Sequence, residues 1–146
     1  MTNKLQELVN KMCVYNQKMR SKNMFTLGNL IDELGKYPKN WKVLIEPFHL
    51  VPLSFHSYRG YYHDLCLTYS TREESLGEEM SVGKLLDMCN ATNGKEFYGY
   101  KGGEFLMNRK TPIWVSDNDY STGMAIAKVE KLFDGLIKIY CYKEED

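Results

Sequence analysis

Residues 3–20 carry Leu5, Leu8, Val9, Met12, Tyr15 and Met19 at three- and four-residue spacing, with lysine, glutamine and asparagine between them. One face of a helix collects all six, so the segment reads as an amphipathic helix. Ser21, Lys22 and Asn23 break the pattern. Thr26 is then placed to cap a second helix, whose Leu27, Leu30, Ile31 and Leu34 share a face and which Gly35 and Pro38 end. The chain thus divides into an amino-terminal anchor helix, residues 1–23, and a domain over residues 24–146. The anchor's apolar stripe has two ways to be buried, on its own domain or on another subunit.

From Trp41 the period changes. WKVLIE, Trp41 to Glu46, reads as a strand, Pro47 to His56 as a loop, and Tyr61 to Tyr69 as a second strand. Glu73 to Glu79 is acidic and turn-like. Ser81 can cap a helix with Val82, Leu85, Leu86 and Cys89 inward, closed near Asn93-Gly94. Strands are then expected over Gly103–Met107, Pro112–Val115, Met124–Glu130 and Leu136–Tyr142, the last two joined by an Asp134-Gly135 hairpin turn. The pattern predicts an α+β fold: a largely antiparallel sheet of about six strands, two packed helices and the anchor helix.

Composition narrows the function. The 146 residues hold 19 basic and 19 acidic side chains, so the surplus of cations that drives binding along a nucleic-acid polymer is missing. Cys13, Cys66, Cys89 and Cys141 lie far apart in apolar surroundings with no CxxC pair, which reads as buried thiols in a reducing compartment. The opening residues lack the continuous apolar run of a signal peptide, and no later run approaches the roughly 20 residues of a membrane span. A cytoplasmic protein is expected. Eleven tyrosines suit either a half-buried sheet or a ligand surface.

Three segments pair cations with rings. Ser57-Tyr58-Arg59-Gly60-Tyr61-Tyr62 sets a guanidinium beside a glycine among three tyrosines; such a group forks phosphate oxygens and stacks on planar rings. In Phe97-Tyr98-Gly99-Tyr100-Lys101-Gly102-Gly103-Glu104-Phe105, the glycines free the backbone for an anion-cradling turn and Lys101 adds a point charge, although Walker spacing is absent. Arg109-Lys110-Thr111-Pro112-Ile113-Trp114 brings two cations to a strand entrance. Each segment alone is commonly a solvated turn. Together they are equipment for a nucleotide, with cations for phosphates and rings for the base. Catalytic equipment is poorer. His49, His56 and His63 lie seven apart without a completing carboxylate or cysteine, so no metal or other cofactor is expected. His63 and Asp64, as strand neighbours, point to opposite faces.

The succession TLGNLIDEL, SYRGYYHDL, a helix ending at NGK, FYGYKGGEF and TPIWV resembles the phage anti-Thoeris sponge family, over Phe25 to about Tyr142. That family sequesters the cyclic ADP-ribose-type signal made by bacterial TIR-domain enzymes. The resemblance implies a non-enzymatic homodimer or larger homo-oligomer in the host cytoplasm, with pockets completed across subunits and an amino-terminal anchor segment. It matches Arg59 and Arg109 to ligand-gripping arginines. Thr111 departs from it, since the family carries an acid there. The expected ligand-binding set is Arg59, Tyr61, Tyr62, Tyr98, Tyr100, Lys101, Gly102, Gly103, Phe105, Arg109 and Thr111. The rivals are a nucleotide hydrolase using His63, Asp64 or Glu104 as general base, and an inhibitor that binds a host protein through the tyrosine-rich face.

Overall fold

Both helices expected after Met24 form where their caps stand. A computed structural model describes residues 24–59, 61–99, 102–117 and 122–143; the anchor helix expected over 3–20 lies outside the described residues. Helix α1 (Leu27–Leu34) begins at Thr26, whose hydroxyl accepts from the Asn29 amide while the Asn29 side chain accepts from the Thr26 amide. This reciprocal pair satisfies two amides that the first turn leaves without partners. Helix α2 (Val82–Thr92) begins at Ser81, which accepts from the Lys84 amide. Leu27, Leu30 and Leu34 of α1 and Val82, Leu85 and Cys89 of α2 are buried. The two helices pack on each other and on one face of the sheet.

The strands are β1 (Lys42–Glu46), β2 (Val51–Ser57), β3 (Leu65–Ser70), β4 (Met80–Ser81), β5 (Glu96–Tyr98), β6 (Glu104–Leu106), β7 (Ile113–Val115), β8 (Met124–Phe133) and β9 (Leu136–Lys143). Seven make one sheet in the order β2-β3-β7-β8-β9-β1-β4, and β5 and β6 form a separate hairpin. The count therefore exceeds the six expected, and the sheet is mixed. Its β3–β7 and β9–β1 junctions are parallel, the other four antiparallel. Both parallel junctions join strands far apart in sequence, which no local pattern announces.

Two segments differ from expectation. Residues read as a loop after Pro47 contain β2, an edge strand; Pro52 lacks an amide to donate, and edges are where a sheet accepts that. The register with β3 also shifts between Pro52 and Phe55, which blurs the two-residue alternation. The strand expected from Tyr61 starts at Leu65. Residues 58–64 instead fold back on themselves: the Tyr58 amide donates to Asp64 O (2.9 Å), Tyr61 N to Tyr58 O (3.1 Å) and Asp64 N to Tyr61 O (3.0 Å).

Burial alternates across the sheet. Leu65, Leu67, Ile113 and Val115 face the helices in the main core, while Cys66, Trp114 and Ala125 form a second cluster with Met24 and Tyr58. Strands β3 and β7 are thus covered on both faces, which is why they read as continuous apolar runs. At the far side of the sheet, Glu46 and Lys138 form an ion pair while only 6% and 9% exposed, and the same Glu46 oxygen meets His49 Nδ1 at 2.6 Å. Burial works to raise the Glu46 pKa, but hydrogen bonds from Lys138 and His49 outweigh it and hold the carboxyl below its ordinary value.

Candidate functional site

The three cation-and-ring segments meet at one end of the sheet. Strand β2 ends at Ser57, which pairs with Leu65 at the start of β3; Leu65 in turn pairs with Ile113 at the start of β7. Arg59 follows β2 and Arg109 precedes β7, two strands away in the sheet. Helix α1 starts at the same end, because Thr26 bridges Pro112 and Ile113 N donates to Phe25 O.

The Tyr58–Asp64 loop is anchored from beneath. The Tyr58 ring stacks on Trp114 at 4.8 Å and 6°, and its hydroxyl accepts from the Gly123 amide at 2.9 Å. Asp64, 2% exposed, accepts from Trp114 Nε1 at 2.8 Å. Ser57 donates to Tyr62 O at 2.7 Å. Tyr58 and Asp64 are therefore structural pins, and they present Arg59, Tyr61 and Tyr62 between them. Tyr61 is 44% exposed and Tyr62 is half-buried.

The β5–β6 hairpin leans on this loop. Phe105 lies 5.9 Å from Tyr62 and meets the His63 ring edge-on at 4.8 Å. Gly99 lies in the contact itself: a Cβ there would sit 2.9 Å from Phe105 Cε2 and 3.1 Å from Tyr62 Cγ. The turn closes by Gly99 N to Gly103 O and Gly102 N to Gly99 O, with Gly102 and Gly103 at φ of 100° and 90°. Tyr100 and Lys101 lie outside the described residues. Tyr98 goes the other way. It pairs with Glu104 across the hairpin while Phe97 pairs with Phe105, so Tyr98, 75% exposed, shares the outer face with Glu96, Glu104 and Leu106. Tyr62, Phe105, Gly102 and Gly103 are thus brought together, and Tyr98 is turned from them.

Arg109 is held by α1. Its carbonyl accepts from the Gly28 amide at 2.8 Å, and its Nη2 donates to both Asp32 oxygens, at 2.9 and 3.0 Å. Gly28 is required by this approach, because an added Cβ would stand 2.8 Å from the Arg109 carbonyl oxygen. Gly28→Ala is expected to force helix and loop apart at a cost of about 1–3 kcal/mol, seen as a lower melting temperature. An unchanged melting temperature would show that the contact yields freely. Thr111 is 5% exposed; its hydroxyl accepts from the Asn108 amide at 2.9 Å and its carbonyl from Leu27 N. It closes the turn that carries Arg109, so its work is internal.

The three histidines do not converge. His49 is bonded to Glu46 and His63 rests on Phe105. His56 is bonded to Ser54 at 2.9 Å, and its pKa is lowered by burial and then by Lys95. Among the described residues no group of three His, Cys, Asp or Glu could hold a metal, and no described helix is long and apolar enough to cross a membrane. Burial raises the Cys89 and Cys141 thiols to about 12. Sequence reasoning missed Gly28, Asp32 and the Asp64–Trp114 pair, since each acts through a partner distant in the chain. The one available signal was the glycine within an otherwise strong helix former. Comparison with family models, curated proteins and solved structures finds no match.

Proposed function

We propose that this protein binds and holds a cyclic ADP-ribose-type nucleotide signal without turning it over, as a sponge against bacterial Thoeris defence. It works in the host cytoplasm as a homodimer or larger homo-oligomer. The observation that carries this reading is the gathering of Arg59, the Tyr62–Phe105 pair, the Gly102-Gly103 turn and Arg109 at one end of the sheet. Arg59 and Arg109 suit a diphosphate, which two guanidinium groups can share. Lys101 extends that charge, and Tyr61, Tyr62 and Phe105 offer faces to the adenine.

Holding without turnover is supported by how Asp64, one of the general-base candidates, is used. The Asp64 carboxylate is buried and spent on Trp114, so a hydrolase would have to rely on His63 or Glu104. A sponge needs slow release, which charge-assisted contacts favour.

The test mixes purified protein with the TIR product, removes the protein by filtration and then heats it. Signal missing from the filtrate and recovered intact after heating is expected. Signal left in the filtrate, or broken down, overturns the proposal. Arg59→Ala combined with Arg109→Ala is expected to weaken calorimetric binding at least about a hundredfold, roughly 3 kcal/mol. A protein-directed inhibitor is the second reading, favoured by the exposed Tyr98 and Leu106; such a protein would ignore free nucleotides.

A further inference from the structure

Gly28 and Asp32 stand one helical turn apart on α1, so both face the turn that carries Arg109. Their roles divide. Gly28 lets the Arg109 backbone close on the helix, its amide donating to the Arg109 carbonyl at 2.8 Å, and Asp32 takes the side chain. Arg109 Nη2 spans both Asp32 oxygens, at 2.9 and 3.0 Å, and reaches the Gly28 carbonyl at 3.4 Å. Both hydrogens of Nη2 are thereby used. Among the described residues nothing else bonds the guanidinium, which leaves Nη1 for an incoming anion.

The pair is open to water, with side-chain exposures of 49% for Arg109 and 63% for Asp32. An ion pair that exposed adds little to folding. It does set the surface that a ligand meets, a cation and an anion side by side at fixed separation. The two Asp32 oxygens share one donor nitrogen and keep acceptor capacity for others. Lys36, one turn further on, does not take it up, being bonded to Glu33 at 2.8 Å.

We infer that Asp32 is a specificity-determining residue of the nucleotide site, accepting hydrogen bonds from ribose hydroxyls beside the phosphate that Arg109 holds. The inference rests on the proposed function and sharpens its ligand class to a sugar with hydroxyls next to the diphosphate, as against a longer run of phosphates. A carboxylate separates the two. It accepts from a hydroxyl in a charge-assisted bond, whereas a further phosphate in the same place meets like charge. A site built to pair a hydroxyl also disfavours any ligand that lacks one. Thr111 does not take this part, because its hydroxyl closes its own turn with the Asn108 amide.

Calorimetry on the full chain at one ionic strength tests this with two probes, the TIR product and inorganic pyrophosphate, the second read by competition against the first. Asp32→Asn keeps an oxygen to accept from Nη2, so Arg109 stays in place, but it removes the charge and one acceptor. The preference for the TIR product over pyrophosphate is expected to fall at least about tenfold in this variant. The TIR product should bind more weakly and pyrophosphate roughly threefold more tightly. Asp32→Ala should lower the preference by at least as much, and the melting temperature of both variants should move little. A carboxylate that only steadied Arg109 would change both probes in one direction and leave their ratio alone. An unchanged ratio in a wild type that binds the TIR product therefore overturns the inference alone. A wild type that binds no TIR product overturns the proposed function and this inference with it.

Discussion

Trp114→Ala should cost about 4 kcal/mol of folding stability and lower the melting temperature by more than any substitution in the outer hairpin. The indole is 4% exposed, carries the Tyr58 ring on its face and donates to the buried Asp64 carboxylate. Truncation removes the packing and takes a hydrogen-bond donor from a buried carboxylate. Because Tyr58 and Asp64 close the loop that presents Arg59, nucleotide binding should fall with stability. Trp114→Phe separates the effects: it keeps a ring for Tyr58 but leaves Asp64 without its indole donor, so it should recover part of the stability lost in the alanine variant. Chemical denaturation of the three proteins reads both. Equal stability of wild type and Trp114→Ala would mean that the second core cluster does not hold the loop.

Lys138→Met is expected to destabilise the fold by about 3 kcal/mol near neutral pH, since it leaves Glu46 buried with only His49 beside it. The pH dependence gives the sharper signature. In the wild type the folded Glu46 pKa lies below its ordinary value. Its contribution is therefore fully present above the unfolded pKa, about 4.5, and is lost as pH falls through the lower folded one. Without Lys138, burial is the largest influence and raises the folded value. The variant should then lose less stability than wild type on acidification, and the gap between them should close below about pH 4. Urea midpoints at pH 7 and at low pH check this; a gap independent of pH would show that the pair contributes packing and no charge.

Much of the fold was legible because its signals are local. Thr26 and Ser81 stand before apolar faces at helical spacing and cap the helices expected of them, and Asp134-Gly135 turns β8 into β9. Strand β2 was hidden by Pro52 and a register shift, and residues 61–64 looked like strand because Tyr61 and His63 alternate with their neighbours while belonging to a turn. For the candidate site, the segments were legible and the direction of each side chain was not. Tyr98 and Phe105 fall on opposite faces of a hairpin whose register is set by a turn with glycines at positive φ. Thr111 is drawn inward by the turn at Asn108.

The sequence by itself determined where helices start, which faces are apolar, and that cations, rings and glycines recur in three short segments, all consequences of backbone propensity and side-chain spacing. Only the tertiary structure decided that those segments share one end of a mixed sheet, that α1 grips Arg109 through Gly28 and Asp32, and that Asp64 is spent on Trp114. These depend on parallel pairings and contacts between residues 50 to 81 positions apart. The free energy of such contacts comes from burial and partner geometry, which no stretch of neighbouring residues encodes.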